Sequence, residues 1–249
     1  MWSVWSERVD LYLGRGLTIV RRRAEPFRIL EHPTTWPLQR VLSGVLARLP
    51  VGETGPGFRR RMRLHITLSS AMCHLASFAV PQGLRKHGEL QQLAQAAAAQ
   101  AVGSSDPVIA SDPFAPGLVA SLGVHFMDDL HTWAQSCGAA VASVQPLWSL
   151  ATQCALAKQR RIGGLALIEP DGVTLIANPA PRGDSVHAAS HSGMVISLDP
   201  GAPVQPHILR WKIGNGLREG AVLTLKFGTE THGHSPSFPS AWAGCWSRP

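Results

Sequence analysis

Apolar and polar residues alternate from the start of the chain, and the first thirty residues read as three short strands. Val9-Asp10-Leu11-Tyr12-Leu13 runs into Gly14-Arg15-Gly16, and Leu17-Thr18-Ile19-Val20 comes next. Glycine at two of the three turn positions supplies the positive φ of a tight hairpin. Phe27-Arg28-Ile29-Leu30 alternates and predicts the third strand. The period then changes. After Pro37, a residue suited to a helix start, Leu38, Val41, Leu42, Val45, Leu46 and Leu49 form one helical stripe. Gly52 to Gly57 is a loop by its glycine and proline content. A second hairpin is expected next. Leu64, Ile66 and Leu68 alternate with His65 and Thr67, Ser69-Ser70 marks a turn, and Cys73 to Val80 returns as a strand that Pro81 ends. Glu89 to Val102 predicts a helix with Leu90, Leu93, Ala97 and Ala101 on its apolar face and Gly103 as its cap.

Pro107, Pro113 and Pro116 keep Asp106 to Pro116 extended. Leu118, Leu122, Phe126, Leu130, Trp133 and Cys137 then recur every three or four residues. They predict one long helix from Gly117 to Ser136, terminated by Gly138. Ala139 to Val144 reads as a strand, and Pro146 opens a helix through Ala157. Gly163 and Gly164 lead into Leu165–Ile168, and Pro170-Asp171-Gly172 turns the chain into Val173–Ile176, a hairpin. Beyond residue 178 Pro, Gly, Ser and His dominate, and no amphipathic helix is expected. Met194–Leu198, His207–Ile213 and Ala221–Phe227 read as strands, with a Gly214-Asn215-Gly216 turn between the last two. No internal sequence repeat is evident.

Composition narrows the class. With 45% hydrophobic and 16% charged residues the chain can bury a core, which argues against wholesale disorder. Lys and Arg total 23 against 16 acids, a net charge of +7 that favours an acidic partner: nucleic acid, an anionic membrane face or an acidic protein. The cations cluster at Arg21-Arg22-Arg23, Arg59-Arg60-Arg61 with Arg63, and Lys158 with Arg160-Arg161. Each cluster flanks a predicted element end, where solvated charge is ordinary. The four cysteines, Cys73, Cys137, Cys154 and Cys245, lack metal-like spacing and read as small hydrophobes in a reducing compartment. Met1 to Arg8 lacks a signal-peptide pattern, and no run of about 18 apolar residues occurs, so the expected address is the cytoplasm.

Candidate chemistry is sparse. His232-Gly233-His234 offers two metal ligands without a Cys or carboxylate at a useful spacing. Cys73-His74 lies on a predicted strand, where neighbours point to opposite faces and cannot share a proton. Asp128-Asp129 with His125 and His131 sits on the polar face of the long predicted helix, where pairs at helical spacing are surface chemistry. Ser190-His191-Ser192-Gly193 lacks a nucleophile-elbow pattern. No phosphate loop ending in Gly-Lys-Ser/Thr and no dinucleotide fingerprint occurs. The arginine clusters lack the interleaved aromatics of a single-strand binder.

The predicted order, β-β-β-α, then alternating strands and helices, then a fresh hairpin at Leu165, matches the actin-like plan of sugar kinases, chaperones and actin. The local sequence also resembles PilM of type IV pili and the cytoplasmic part of the type II secretion L protein. The resemblance covers residues 8–178. It is carried by Arg63–Ser69 with the return to Pro81, Glu89–Ala97, Leu118–Gly138, Val141–Leu147 and Gly164–Leu175. It implies a shortened α/β fold of the ribonuclease H-like, actin-like class with a helix-poor second half. Residues 1–160 would form the first subdomain, 161–228 a reduced, mostly β second one, and 229–249 a flexible tail. PilM-like proteins carry an Asp-Ile-Gly phosphate loop between their first two strands. Here the matching run is Tyr12-Leu13-Gly14, with an aromatic residue in place of the acid that would organise Mg²⁺. The second phosphate loop would be Glu169-Pro170-Asp171-Gly172, where Pro170 removes a backbone donor. The resemblance therefore implies degenerate phosphate loops at Tyr12, Gly14, Glu169, Pro170 and Gly172, with no cofactor, no metal and no catalysis expected. The expected role is a scaffold gripping a cytoplasmic segment of an inner-membrane assembly protein, its basic surface suiting an anionic membrane. The rival readings are an active nucleotide-binding ATPase of the same fold and a basic nucleic-acid-binding protein.

Overall fold

The chain builds the same unit twice. β1 (Glu7–Leu13) pairs antiparallel with β2 (Leu17–Arg22), and β2 with β3 (Arg28–Glu31). α1 (Leu38–Leu46) then crosses over, and β4 (Met62–Leu68) runs parallel to β1 on its other side. Later in the chain, β9 (Gly164–Glu169) pairs antiparallel with β10 (Gly172–Ala177), and β10 with β11 (Ser192–Ser197). α5 (Gln205–Gly214) crosses over, and β12 (Val222–Phe227) runs parallel to β9. The fifth strand differs: β8 (Ala139–Pro146) is parallel to β4, whereas β13 (Trp246–Ser247) is antiparallel to β12. The sheet orders are thus β3-β2-β1-β4-β8 and β11-β10-β9-β12-β13. The computed structural model describes residues 7–22, 27–46, 62–81, 83–84, 86–103, 107–111, 115–155, 162–178, 191–199, 202–218, 220–228 and 246–247.

Central strands are buried on both faces, so they are apolar with few polar exceptions. From Val9 to Leu13 every residue of β1 is buried, and all of β10 is buried. Buried side chains of both sheets share one core, with Leu11, Leu13, Ile66 and Leu68 joined by Leu165, Leu167, Ile176 and Phe227. Between β4 and β8 lies an insert. It comprises a one-turn 3₁₀ helix (Ser70–Met72), β5 (His74–Ser77), α2 (His87–Val102), β6 (Val108–Ser111), β7 (Leu118–Leu122) and α3 (Val124–Ser136). β5, β7 and β6 form a separate antiparallel sheet that α2 covers through Ala94 and Ala98. α4 (Leu147–Ala155), with Trp148 fully buried, connects the first large sheet to the second. Gly193 of β11 seats the insert, because a Cβ there would lie 2.9 Å from Leu75 and 3.1 Å from Leu118.

Several expectations are corrected. Leu64 to Val80 is not a hairpin: β4 is already flanked by β1 and β8, so β5 leaves that sheet and pairs with β7. The stretch from Gly117 to Ser136 is not one helix. Leu118–Leu122 is a strand whose two faces are both covered, and the helix begins only after Gly123. A spacing of four fits an even period as well as a helical one, which is why Leu118 and Leu122 read as helical. The buried face of α2 is Ala94 and Ala98, one position from the predicted stripe, with Ala101 exposed, because small side chains allow close approach to the sheet. His207–Ile213 is helical, so a helix does occur after residue 178. Gly14 and Gly16 do not take positive φ; Gly103 and Gly138 do, where α2 and α3 end. Of the predicted tail, Trp246–Ser247 pairs with β12, and the rest of 229–249 lies outside the described residues. The Gly52–Gly57 loop lies outside them too.

Candidate functional site

The turns that close the two equivalent hairpins meet. Tyr12 enters from β1, fully buried, with its ring centroid 4.6 Å from that of Phe227. Its hydroxyl donates to Glu169 Oε2 at 3.4 Å. Glu169 ends β9 and also accepts from the Ser70 backbone N–H at 3.1 and 3.3 Å and from Thr174 Oγ1 at 3.3 Å. Asp171, in the second turn, accepts from Ser69 Oγ and from the Arg15 backbone N–H, both at 2.7 Å. Ser69 N–H in turn donates to the Leu13 carbonyl at 2.8 Å. Two hairpin turns and the end of β4 are thereby tied into one buried polar cluster.

The cluster is acidic, and burial dominates its electrostatics. Desolvation, then the nearby Asp171, pushes the Glu169 carboxyl up to about 8 against the stabilising bonds from Ser70 and Thr174. The Tyr12 hydroxyl is held well above its ordinary range by burial, then by Glu169 and Asp171. Burial, then the same two acids, pushes the Cys73 thiol up, which disfavours its thiolate. Among the hydrogen bonds above, the only contribution from a basic residue is the main-chain N–H of Arg15.

Of the five positions singled out in the sequence, Tyr12, Gly14 and Glu169 meet across the two turns, while Pro170 and Gly172 serve the second hairpin itself. Tyr12 and Glu169 are bonded partners. Gly14 is needed for close approach, since a Cβ would stand 3.0 Å from the Leu17 carbonyl and 3.3 Å from Asp171 Oδ2. Pro170 occupies the turn and brings no N–H. Gly172 serves strand pairing: a Cβ would stand 2.7 Å from the Ile196 carbonyl of β11. Ser69, Ser70 and Thr174 were missed as members of the site, and Asp171 was read only as part of the second loop. Their signal was a serine pair directly after a buried apolar strand, and two acids flanking Pro170 inside an apolar hairpin.

The remaining candidates stay apart. Cys73 is buried while its neighbour His74 is exposed. Asp129 accepts from Gln39 Nε2 at 3.4 Å rather than pairing with His125. His191 is held at Pro116, its backbone N–H donating to that carbonyl at 3.0 Å. His232, His234 and Ser190 lie outside the described residues, as do Arg23, Arg59-Arg60-Arg61, Lys158 and Arg160-Arg161. Among the described residues no group of three or more His, Cys, Asp or Glu is arranged to hold a metal ion.

A second feature is a groove of about 270 Å³ between the insert and the first large sheet. Val108 and Ala110 of β6, Leu122 of β7, Met127 of α3, and Val141 and Val144 of β8 line its walls. Among the described residues β6 and β8 are both edge strands, each hydrogen-bonded to a neighbour strand on one side only. Val108 keeps 38% of its surface exposed, so the groove opens to solvent.

No protein-family profile matches the sequence, and no curated protein matches it. Solved structures do match. One, from Bacteroides thetaiotaomicron, is described as a protein with an actin-like ATPase fold and unknown function. It is 9% identical, with 93% of this chain and 87% of that one covered at a TM-score of 0.54. The PilM-PilN type IV pilus biogenesis complex matches at 13% identity, 85% and 66% coverage, and a TM-score of 0.53. The cytoplasmic domain of EpsL, an inner-membrane component of the type II secretion system of Vibrio cholerae, matches at 14% identity, 88% and 82% coverage, and a TM-score of 0.47. Together with the doubled hairpin-and-crossover topology, the first two likenesses show that this chain has an actin-like fold.

Proposed function

We propose that this chain is a non-catalytic cytoplasmic scaffold of a type IV pilus or type II secretion-like inner-membrane assembly. It holds a short extended segment of a membrane partner in the groove between β6 and β8. The observation that carries this reading is the pair of edge strands facing one groove, where Val108, Leu122, Met127, Val141 and Val144 stand beside the polar Ser143, Gln145 and His131. An extended peptide adds main-chain bonds to such an edge while its alternate side chains enter apolar pockets. The PilM-PilN structure is itself a complex of two assembly proteins, which supports a partner-binding role for this architecture. Among the described residues no helix is long and apolar enough to cross a membrane.

The non-catalytic part of the reading rests on the turn cluster. Phosphates are cradled by convergent N–H donors and cations, with an acid to hold the metal. Here Tyr12 fills the space beside the first turn, Glu169 and Asp171 make it acidic, and the donors of Ser70 and Arg15 are already taken by those carboxylates. Co-expression with each small membrane protein encoded beside it should recover one partner. Val144→Glu, which puts a charge into the groove, should cut that recovery at least about tenfold. Failure of the unaltered chain to retain any of them would sink the reading. Calorimetry with millimolar ATP and Mg²⁺ should show no heat; a measurable affinity would restore the ATPase alternative.

A further inference from the structure

We infer that the outer face of α5 docks on an anionic lipid bilayer. Among the described residues the two most exposed large hydrophobic side chains are Leu209 at 59% and Ile213 at 71%, and both belong to this helix. Four residues apart, they share one line on its surface. Ile208 and Trp211 point the other way, into the core beneath the second sheet. The helical pitch sets Lys212 on one flank of the Leu209–Ile213 line and Arg210 on the other, and exposed Arg218 lies just beyond the helix. From Gln205 to Arg218 the sequence contains no acidic residue. An apolar line bordered by cations is the pattern of a helix lying in a membrane interface, where long basic side chains reach anionic headgroups as apolar neighbours enter the acyl boundary.

The size and shape of the patch favour lipid over protein. Two side chains on a convex helix fall far short of the roughly 800 Å² per partner of a stable protein interface. A bilayer accommodates isolated protruding side chains without a matching pocket. The first sheet supplies the contrast: its equivalent crossing helix, α1, packs beside α3 and buries Val41, Leu42 and Val45. This inference is independent of the groove and of any partner held there.

The test is flotation of the full chain with phosphatidylcholine vesicles, with and without phosphatidylglycerol, at low and high salt. Binding should require phosphatidylglycerol and weaken with salt. It should fall about tenfold in Leu209→Gln/Ile213→Gln and in Arg210→Gln/Lys212→Gln, with thermal midpoints unchanged. No binding to phosphatidylglycerol vesicles, equal binding to neutral ones, or binding by either variant as strong as that of the unaltered chain would overturn it. So would a lowered midpoint in Leu209→Gln/Ile213→Gln, which would give the face to the chain's own packing. A lipid-free oligomer dissolved by that variant would give it to a second copy, again overturning the inference.

Discussion

In the first sheet the helix that crosses between β3 and β4 lies beside α3; in the second, the equivalent crossing helix leaves Leu209 and Ile213 in solvent. Both sheets begin with an antiparallel hairpin, add a third antiparallel strand outside it, and receive a parallel strand after the crossover. They differ beyond that parallel strand. The first continues into the insert, α3 and the parallel edge strand β8, and so gains a groove. The second ends in an antiparallel two-residue strand. A shared topology therefore yields two different surfaces: a cleft of mixed lining between edge strands, and a cation-bordered helix. The hairpin turns also divide their roles. The first brings an aromatic ring and a main-chain donor, the second brings two carboxylates.

Removing the first turn's aromatic residue should have the largest effect. Tyr12→Ala deletes a fully buried ring against Phe227 and should lower stability by about 3–5 kcal/mol in chemical denaturation. The acid of the second turn should make stability pH-dependent. Glu169 has a folded pKa of about 8, above its ordinary 4.5, so the folded state binds the extra proton. Stability from this group is fully present below about 4.5, falls as pH rises through the window to about 8, and levels off above it. The slope is at most about 1.4 kcal/mol per pH unit, and Glu169→Gln should flatten it. A profile identical in that variant would remove Glu169 as the cause.

Smaller effects should separate the glycines of the two turns. Gly172→Ala forces a Cβ onto the Ile196 carbonyl of β11, a backbone atom that moves only with its strand, and should cost about 1–3 kcal/mol. Gly16→Ala meets only ordinary contacts, 3.4 Å from Thr34 Cγ2, at a φ open to other residues. It should be neutral or stabilising by up to about 1 kcal/mol. Equal losses at the two sites would contradict the different roles given to the turns.

The hairpins were legible because they are local. Leu165–Ile168 and Val173–Ile176, separated by Glu-Pro-Asp-Gly, pair as their turn chemistry requires. The three opening strands and the capping of α2 by Gly103 came from the same local rules. α5 was not legible. His207, Leu209, Trp211 and Ile213 alternate like a strand, and the helix serves two apolar surfaces, one buried and one exposed, which blurs a 3.6-residue period. Pro206 in its first turn and Gly214 at its end were the available signals. In the site, the positions of Tyr12 and Glu169 were visible in the sequence, but their mutual bond was not. It spans 157 residues, and no local pattern encodes such a contact.

By itself the sequence determined the element types of both hairpins, and the aromatic ring and missing N–H that Tyr12 and Pro170 bring to the two turns. These depend on side-chain period, turn residues and covalent structure, all of which act over a few neighbours. Only the tertiary structure decided that β5 leaves β4 for β7, that Leu118–Leu122 is a strand, and that the two turns close on a shared acidic cluster. Each of those outcomes turns on which surfaces remain open once distant strands have paired, and burial of that kind is set by the whole assembly.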